Sequence, residues 1–341
     1  MAGRPVTSEV ANSLNAMQYF RIVSLLCMAV APLLVAFVMN PKESVAVTLR
    51  AAVLAVTLVA LAYAFYGVPW GNNGTTIVRI RNFYGTLEVQ QSPEERVLMH
   101  GKTLHGSQWR TAAMQEAPTT YYGGGSGLGQ LLAYHPKRRP VMPMRIGVVG
   151  MGVGTIAAYG LPGDSIRFYE LNPGVIELAR GNNAYFSFVT RSAAQVDIVA
   201  GDGRLSLERE LKQQGSQKFD ILVLDAFNGD TIPVHLLTTE AMEIYLQHLA
   251  ADGVFAIHVS SRVLDLSPVL LGAMEHFHLH GTMTSSGNQE NNVSSDWVLF
   301  SHNPEMLRTP GLRRYGQPLD KGKKPVLWTD DYTNITTLLY R

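Results

Sequence analysis

The chain has 341 residues, of which 46% are hydrophobic and 16% are charged, and its formal net charge is +1. Soluble domains carry about 25% charged residues, so this composition excludes a disordered chain. The near-neutral charge does not indicate a nucleic-acid partner. Cys27 is the only cysteine, which excludes an intrachain disulfide and a zinc site built on cysteines.

Two uncharged apolar runs stand near the beginning, over residues 22–39 and 51–70. Each is long enough to cross about 30 Å of hydrocarbon as a helix, so residues 1–70 are predicted to form a transmembrane helical hairpin. A cleaved signal peptide and a buried soluble hairpin are the alternatives. The flanking positive charges are nearly balanced and leave the orientation open. We expect a multi-pass protein of the inner (cytoplasmic) membrane, in contact with the lipid bilayer, whose catalytic domain faces the cytoplasm.

Alternation of apolar and polar residues predicts strands over residues 70–110. The segment 71–125 is therefore predicted to be a small N-terminal β-module. It ends in the glycine-rich loop YYGGGSGLG, residues 121–129, which leads into a short helix.

From residue 126 to residue 341 apolar strands alternate with amphipathic helices, which predicts one α/β domain with a parallel sheet. A turn and a helix over 151–160 follow the first strand, and two further strands, near 282–286 and 296–302, come late. Residues 308–325 are predicted to be a solvated loop. The five parallel strands are expected at 144–150, 165–171, 195–202, 219–227 and 253–261.

Polar residues and glycines at three strand ends predict a nucleotide site. The loop Gly150-Met151-Gly152-Val153-Gly154 leaves the first strand, and glycines there let the backbone approach a ligand. Glu170 ends the second strand, where a carboxylate can accept from ribose hydroxyls. The third strand ends at Asp202-Gly203, where the carboxylate can accept from an adenine amine. NAD(P) is a competing ligand, but its fingerprint is G-x-G-x-x-G, whereas this loop reads G-x-G-x-G-T.

These residues, together with the strand ILVLDAF, resemble the spermidine synthase (polyamine aminopropyltransferase) superfamily. RNFYG, VLMHGKTLHGSQ, YYGGGSG, DAFNGDTIPVHLLTTEAMEIY and WTDDYTN resemble its bacterial membrane-associated branch, which has an N-terminal transmembrane segment. The resemblance covers about residues 76–340. It implies a Rossmann-like, S-adenosylmethionine-dependent methyltransferase-type sheet, and it implies S-adenosylmethionine or its decarboxylated form as the substrate, with no metal.

The resemblance implies that Asp225, at the end of the fourth strand, is the catalytic carboxylate. The family continues D-S-S-D-P, but this chain has Asn228 at the position of the second acid, and Asp230 follows two residues later. Asp230 is the candidate replacement. The structural alternative for Asp225 is a helix cap or a turn residue.

The acceptor side departs further from the family pattern. The family's Y-H-E segment reads Tyr121-Tyr122-Gly123 here, which keeps Tyr122 as a catalytic candidate but lacks the acid. The Gln of the family hairpin L-D-G-x-x-Q has two candidate counterparts, His105 and Gln108. A groove for a diamine or polyamine normally needs acidic residues, so the acceptor is left open. We also expect a homo-oligomer.

Other polar clusters have structural explanations. His276, His278 and His280 alternate, so a strand would place them on one face, but no partner cluster indicates a metal. His235 and Glu240 are expected to fix a loop beneath the site. Asp330 and Asp331 are expected either to line the site or to form a solvated turn, with the two possibilities held equal.

Three classes of function stay open at this point. The first is a membrane-tethered aminopropyltransferase that releases methylthioadenosine. The second is a lyase or methyltransferase that uses S-adenosylmethionine on the same scaffold without a polyamine acceptor. The third is a non-catalytic nucleotide sensor, which would not need the carboxylates Asp225 and Asp230.

Overall fold

The computed structural model describes residues 57, 74–138, 142–182, 184–227, 229, 231–261, 263–287, 293–319 and 322–338. The segment Asn73–Arg341 forms a compact unit. It contains two β-sheets, one of four strands and one of eight.

The predicted transmembrane hairpin over residues 1–70 lies outside the described residues, apart from Thr57. Among the helices that the structure does describe, none is long and apolar enough to cross a bilayer. The predicted localisation in the inner membrane is contradicted by this finding and is not retained, and neither is membrane lipid as a partner.

The smaller sheet is an antiparallel meander in which each strand pairs with the next. Leu87 and Val89 alternate with less buried residues along its second strand and point into the core, as half-buried strands do. Its strands are β1 (Thr75–Asn82), β2 (Gly85–Gln91), β3 (Glu95–His100) and β4 (Thr103–Trp109).

The larger sheet has the strand order β12-β10-β11-β9-β8-β5-β6-β7. Strands β5 to β9 are parallel, and β11, β10 and β12 continue the sheet in antiparallel pairing. The strands are β5 (Arg145–Val149), β6 (Ser165–Glu170), β7 (Gln195–Ala200), β8 (Phe219–Leu224), β9 (Leu249–His258), β10 (His280–Ser286), β11 (Ser295–Ser301) and β12 (Gly316–Gln317).

Helices connect these strands and cover both faces of the larger sheet. All six residues of β8 are buried, as in a parallel sheet with helices on both sides. The α/β, Rossmann-like, methyltransferase-type fold predicted from the sequence is thus confirmed. The helices are α1 (Gly127–Tyr134), α2 (Pro173–Arg180), α3 (Phe188–Arg191), α4 (Gly203–Gln214), α5 (Thr239–Gln247), α6 (Ser267–His276) and α7 (Pro310–Tyr315).

The core divides into two layers because successive strand residues point to opposite faces. Val148 and Val223 belong to the layer shared with α1, α2 and the smaller sheet. Leu222 and Leu224 belong to the layer shared with α4, α5 and α6. The sheet edge at the carboxyl ends of β5, β6, β8 and β9 therefore lies between two rigid layers, where open α/β sheets bind their ligands.

Three local predictions need correction. The predicted helix over 151–160 is only the short 3-10 helix Thr155–Tyr159, because the glycines before it adopt positive φ. Residues 308–325 are not simply a solvated loop, since they contain α7 and β12, and Leu312 and Leu319 are buried there. The three alternating histidines do not share a strand: His276 ends α6, His278 has φ +52, and His280 begins β10.

Candidate active site

The glycine loop after β5 is held in a conformation that disfavours other residues. Gly150, Gly152 and Gly154 have φ values of +91°, +53° and +81°, in the left-handed region that costs an L-residue about 1–2 kcal/mol. A Cβ on Gly152 would lie 2.6 Å from the carbonyl oxygen of His105, and one on Gly150 would collide with the carbonyl of Asp225. The loop therefore approaches both β4 and the end of β8.

Glu170, at the end of β6, is bonded to the same loop. Its Oε2 accepts from the Met151 amide at 2.9 Å, and its Oε1 accepts from the Asn172 amide at 2.8 Å. Burial raises the pKa of this carboxyl, and the two backbone donors oppose that effect. Each oxygen keeps a further lone pair for a ligand, so Glu170 both fixes the glycine loop and can still accept a hydrogen bond.

Asp202 and Gly203 have clear structural roles. Asp202 is the N-cap of α4, since its Oδ1 accepts from the Leu205 amide at 2.9 Å, and its Oδ2 lies 3.3 Å from His235 Nε2. A Cβ on Gly203 would lie 2.5 Å from Val149 Cγ1, so this glycine permits close helix–strand packing. The expected contact of Asp202 with an adenine amine would have to share an oxygen with the cap or with His235.

Asp225 is the centre of the site. It directly follows β8, and its side chain is 8% exposed. Oδ2 accepts from the Tyr122 hydroxyl, and Oδ1 lies 2.7 Å from His258 Nδ1. Burial first, and then the neighbouring Asp225 carboxylate, raise the pKa of Tyr122 well above its ordinary value. Tyr122 therefore stays protonated at neutral pH and donates to Asp225.

His105 and Gln108 differ sharply as counterparts of the family's glutamine. Burial lowers the pKa of His105 to about 4, with His100 adding to the effect and Asp225 opposing it. Its Nε2 is buried without a hydrogen-bond partner among the described residues. Gln108 instead uses its amide to bond Gln115 and Ser187. The structure thus brings His105 toward the site and gives Gln108 a structural role.

Asn228 and Asp230, the residues at issue in the loop after Asp225, lie outside the described residues. Between them, the carbonyl of Gly229 accepts from the Thr103 hydroxyl at 3.1 Å. The role of Asp230 as a second carboxylate stays a prediction.

Asp330 bonds α4 rather than Asp225 or the glycine loop. Arg204 donates to both of its carboxylate oxygens, at 2.7 and 2.5 Å, and Thr238 adds a third bond. Glu240 accepts from the Asp330 amide at 3.1 Å. His235, through Asp202, and Glu240 therefore fix the segment beside α4, as expected, whereas Asp331 is exposed.

His258 is the site residue that sequence reasoning missed. It ends β9, it is 3% exposed, and it pairs with Asp225. The available signal was a polar residue at the end of an otherwise apolar parallel strand, in AIHVSS. The same signal identifies Glu170 at the end of β6.

Acidification should lower the stability of the fold. Burial lowers the pKa of His105 and of His135 to about 4 from the ordinary 6.5. Between these values the unfolded chain binds protons that the folded chain does not, so this stability is present above pH 6.5 and is lost toward pH 4. We expect urea unfolding to show a lower free energy at pH 5 than at pH 7, by a few kcal/mol at most.

His135→Gln provides the control for this expectation, because it removes one of the histidines whose pKa is lowered by burial and leaves the site residues unchanged. The variant should show a smaller difference between the two pH values. Equal differences in the variant and the unchanged chain would contradict the assignment to His135.

Comparison with known proteins bears on the family that the sequence resembles. No family model matches the sequence. A polyamine aminopropyltransferase of Vibrio vulnificus is 34% identical over 215 residues, which cover 61% of this chain and 65% of that enzyme. The chain therefore spans slightly less than two thirds of that relative's length. This similarity supports the resemblance to the polyamine aminopropyltransferases but not to their membrane-associated branch.

Solved structures give weaker matches. A probable spermidine synthase from Corynebacterium glutamicum has a TM-score of 0.49 at 16% identity, over 68% of this chain and 80% of that one. A spermidine synthase from Thermotoga maritima has a TM-score of 0.46 at 14% identity, over 75% of this chain and 81% of that one.

Proposed function

We propose that this protein is an aminopropyltransferase that uses decarboxylated S-adenosylmethionine and an amine acceptor and releases methylthioadenosine. The observation that carries the proposal is the ionisable pair Tyr122–Asp225 at the carboxyl edge of the sheet, next to the glycine loop. The sequence similarity to a polyamine aminopropyltransferase supports it independently.

The reaction needs few groups. The acceptor nitrogen attacks the aminopropyl carbon bonded to the sulfonium, the carbon–sulfur bond breaks, and its electron pair returns to sulfur. Methylthioadenosine then leaves as a neutral thioether. The nitrogen must lose a proton, and the Asp225 carboxylate is the proposed acceptor for it. Gly150–Gly154 and Glu170 are the proposed contacts for the nucleoside part.

The acceptor is proposed to be a small amine of the polyamine class. Asp225 supplies negative charge for an ammonium, and Tyr122, whose hydroxyl donates to Asp225, fixes the orientation of that carboxylate. His105 Nε2, which has no hydrogen-bond partner among the described residues, adds a neutral nitrogen that can form a hydrogen bond. Because the acid of the family's Y-H-E segment is replaced by Gly123, we expect a weaker requirement for a second positive charge on the acceptor.

Mass spectrometry of the reaction products tests the proposed reaction. The chain is incubated with S-adenosylmethionine or its decarboxylated form, each with and without 1,4-diaminobutane or a monoamine of the same length. The proposal predicts methylthioadenosine and an aminopropylated amine in equal amounts, from the decarboxylated form only. Methylthioadenosine without an amine product would indicate a lyase, and S-adenosylhomocysteine would indicate a methyltransferase, and either would overturn the proposal.

The nucleoside contacts have their own test. Glu170→Gln should weaken methylthioadenosine binding by about 10- to 150-fold, the usual effect of losing hydrogen bonds to a charged group. The variant places an amide donor opposite a backbone N–H and removes a ribose acceptor. Glu177→Gln, on the exposed side of α2, is the matched control. Equal calorimetric affinities of the two variants would contradict the proposed role of Glu170.

A further inference from the structure

His258 ends β9, directly beside the end of β8. Its Nδ1 lies 2.7 Å from Asp225 Oδ1, and its Nε2 lies 2.9 Å from Ser260 Oγ. The imidazole thus connects the carboxylate at the site to a hydroxyl behind it. The proposed reaction itself assigns no role to either residue.

The two partners of His258 define which nitrogen carries a hydrogen. Asp225 Oδ1, as a carboxylate oxygen, can only accept, so Nδ1 carries a hydrogen. Ser260 Oγ accepts from the Asp296 amide at 2.8 Å and can donate its own hydrogen to His258 Nε2. The Nδ1–H therefore points at Asp225, so that each oxygen of the carboxylate receives one donor, from His258 and from Tyr122.

Aromatic packing holds the imidazole in this orientation. Its ring lies 4.5 Å from that of Trp297, at an interplanar angle of 13°. Phe227 and Tyr121 contact it at ring-centroid distances of 4.9 and 5.0 Å. A ring enclosed in this way cannot exchange its two nitrogens without disturbing the packing, so Asp225 always meets the same donor.

We propose that His258 is a positioning residue that orients Asp225 toward the acceptor amine, and that Ser260 holds the imidazole in place through its Nε2. This inference rests on the proposed function. The acceptor's proton goes to Asp225 and then to solvent, and His258 does not take it, because Nε2 faces Ser260 and away from Asp225. The two donors leave the remaining carboxylate lone pairs available to the incoming ammonium.

Several titratable groups surround Asp225 and His258. Tyr121 and Tyr122 come from the 3-10 turn before α1, and His105 comes from β4. Glu170 interacts with Tyr122 from β6, and Asp296 on β11 meets Ser260 through its backbone. Burial lowers the pKa of His105 to about 4 and raises that of Tyr122 well above its ordinary value, so both stay neutral around pH 7.

Two replacements of His258 separate the effect of its N–H donor from the effect of its side-chain volume. His258→Asn keeps an N–H near the position of Nδ1, whereas His258→Leu removes the donor and keeps an apolar side chain. We expect His258→Leu to lower kcat by about 10- to 150-fold, with little change in the KM for the nucleoside substrate. The acid limb of its kcat–pH profile should move to higher pH, because a carboxylate that loses a donor is protonated more readily. His258→Asn should recover most of both effects.

A measurement without substrate keeps the inference testable if a His258 variant fails to fold. Nitrogen-15 NMR of the imidazole should show the Nδ1–H tautomer in the unchanged chain, and Ser260→Ala should keep that tautomer because Asp225 still accepts from Nδ1. An Nε2–H tautomer in the unchanged chain would overturn the inference. So would a His258→Leu variant with unchanged kcat and acid limb, or a His258→Asn variant as impaired as His258→Leu. If the unchanged chain transfers no aminopropyl group, the proposed function is wrong. The NMR measurement still tests the hydrogen bonding of His258, because it needs no substrate.

Discussion

The Asp225→Asn variant should turn over roughly 10²- to 10⁴-fold more slowly than the unchanged chain, the usual range for losing a general base. It should bind methylthioadenosine almost as before, because this product lacks the reacting aminopropyl group. The amide keeps the shape of the side chain and can still accept from Tyr122 or His258. Initial rates at saturating substrate and calorimetric titration of methylthioadenosine measure the two quantities separately.

Asp220 is the matched control on the same strand. It lies at the amino end of β8, where it pairs with Lys137 and accepts from the Arg145 amide. Five residues of strand separate it from Asp225 by about 16 Å, so Asp220→Asn should cost stability and leave turnover per folded molecule unchanged. If Asp225→Asn instead abolished methylthioadenosine binding and turned over in proportion to its occupancy, Asp225 would be a nucleotide-binding or structural residue.

The second large effect is expected on the free energy of unfolding and on methylthioadenosine affinity, from Gly150→Ala. The new methyl group would meet the carbonyl of Asp225, and the residue would have to keep φ near +91°. The conformation costs about 1–2 kcal/mol and the overpacking about 1–3 kcal/mol, so the free energy of unfolding should fall by roughly 2–5 kcal/mol. Methylthioadenosine affinity should fall as well, because the glycine loop and the end of β8 are forced apart.

Gly215→Ala separates the conformational cost of a positive φ from the cost of overpacking. Gly215 follows α4 with φ +79°, and nothing lies within 4 Å of the position of a Cβ there. Its substitution should therefore show only the conformational cost of about 1–2 kcal/mol and leave ligand binding unchanged. Equal stability losses in the two alanine variants, measured by urea unfolding, would show that Gly150 does not pack closely against Asp225.

The sequence allowed the fold to be predicted because its signals are local. Apolar strands followed by polar residues identified β5, β6 and β8, and parallel strands place their carboxyl ends at one edge. Gly150 and Glu170 follow directly from that rule, whereas the role of Asp225 came from the family resemblance. The short 3-10 helix after the glycine loop could not be predicted, because the glycines that suit a nucleotide loop also suit the start of a helix.

The parts of the site that depend on long-range contacts were not predictable. His258 meets Asp225 only because β9 lies next to β8, and its second partner, Ser260, is bonded to the Asp296 amide of β11. Gln108 and His105 are three residues apart on one strand, and only the surrounding packing shows which one faces the site. Asp202 satisfies both an adenine-binding pattern and a helix cap, and the sequence contains no feature that separates the two.

The strand order has a consequence for synthesis on the ribosome. β11 is inserted between β9 and β10, both of which precede it in the chain. Until β11 has emerged, the free edge of β9 presents Val254–His258, which are buried in the finished fold. At 5–20 residues per second, this apolar edge is open for a few seconds, and such edges pair readily with other chains. After residue 258 leaves the exit tunnel, this edge of the nascent chain is therefore open to pairing with other chains until β11 covers it.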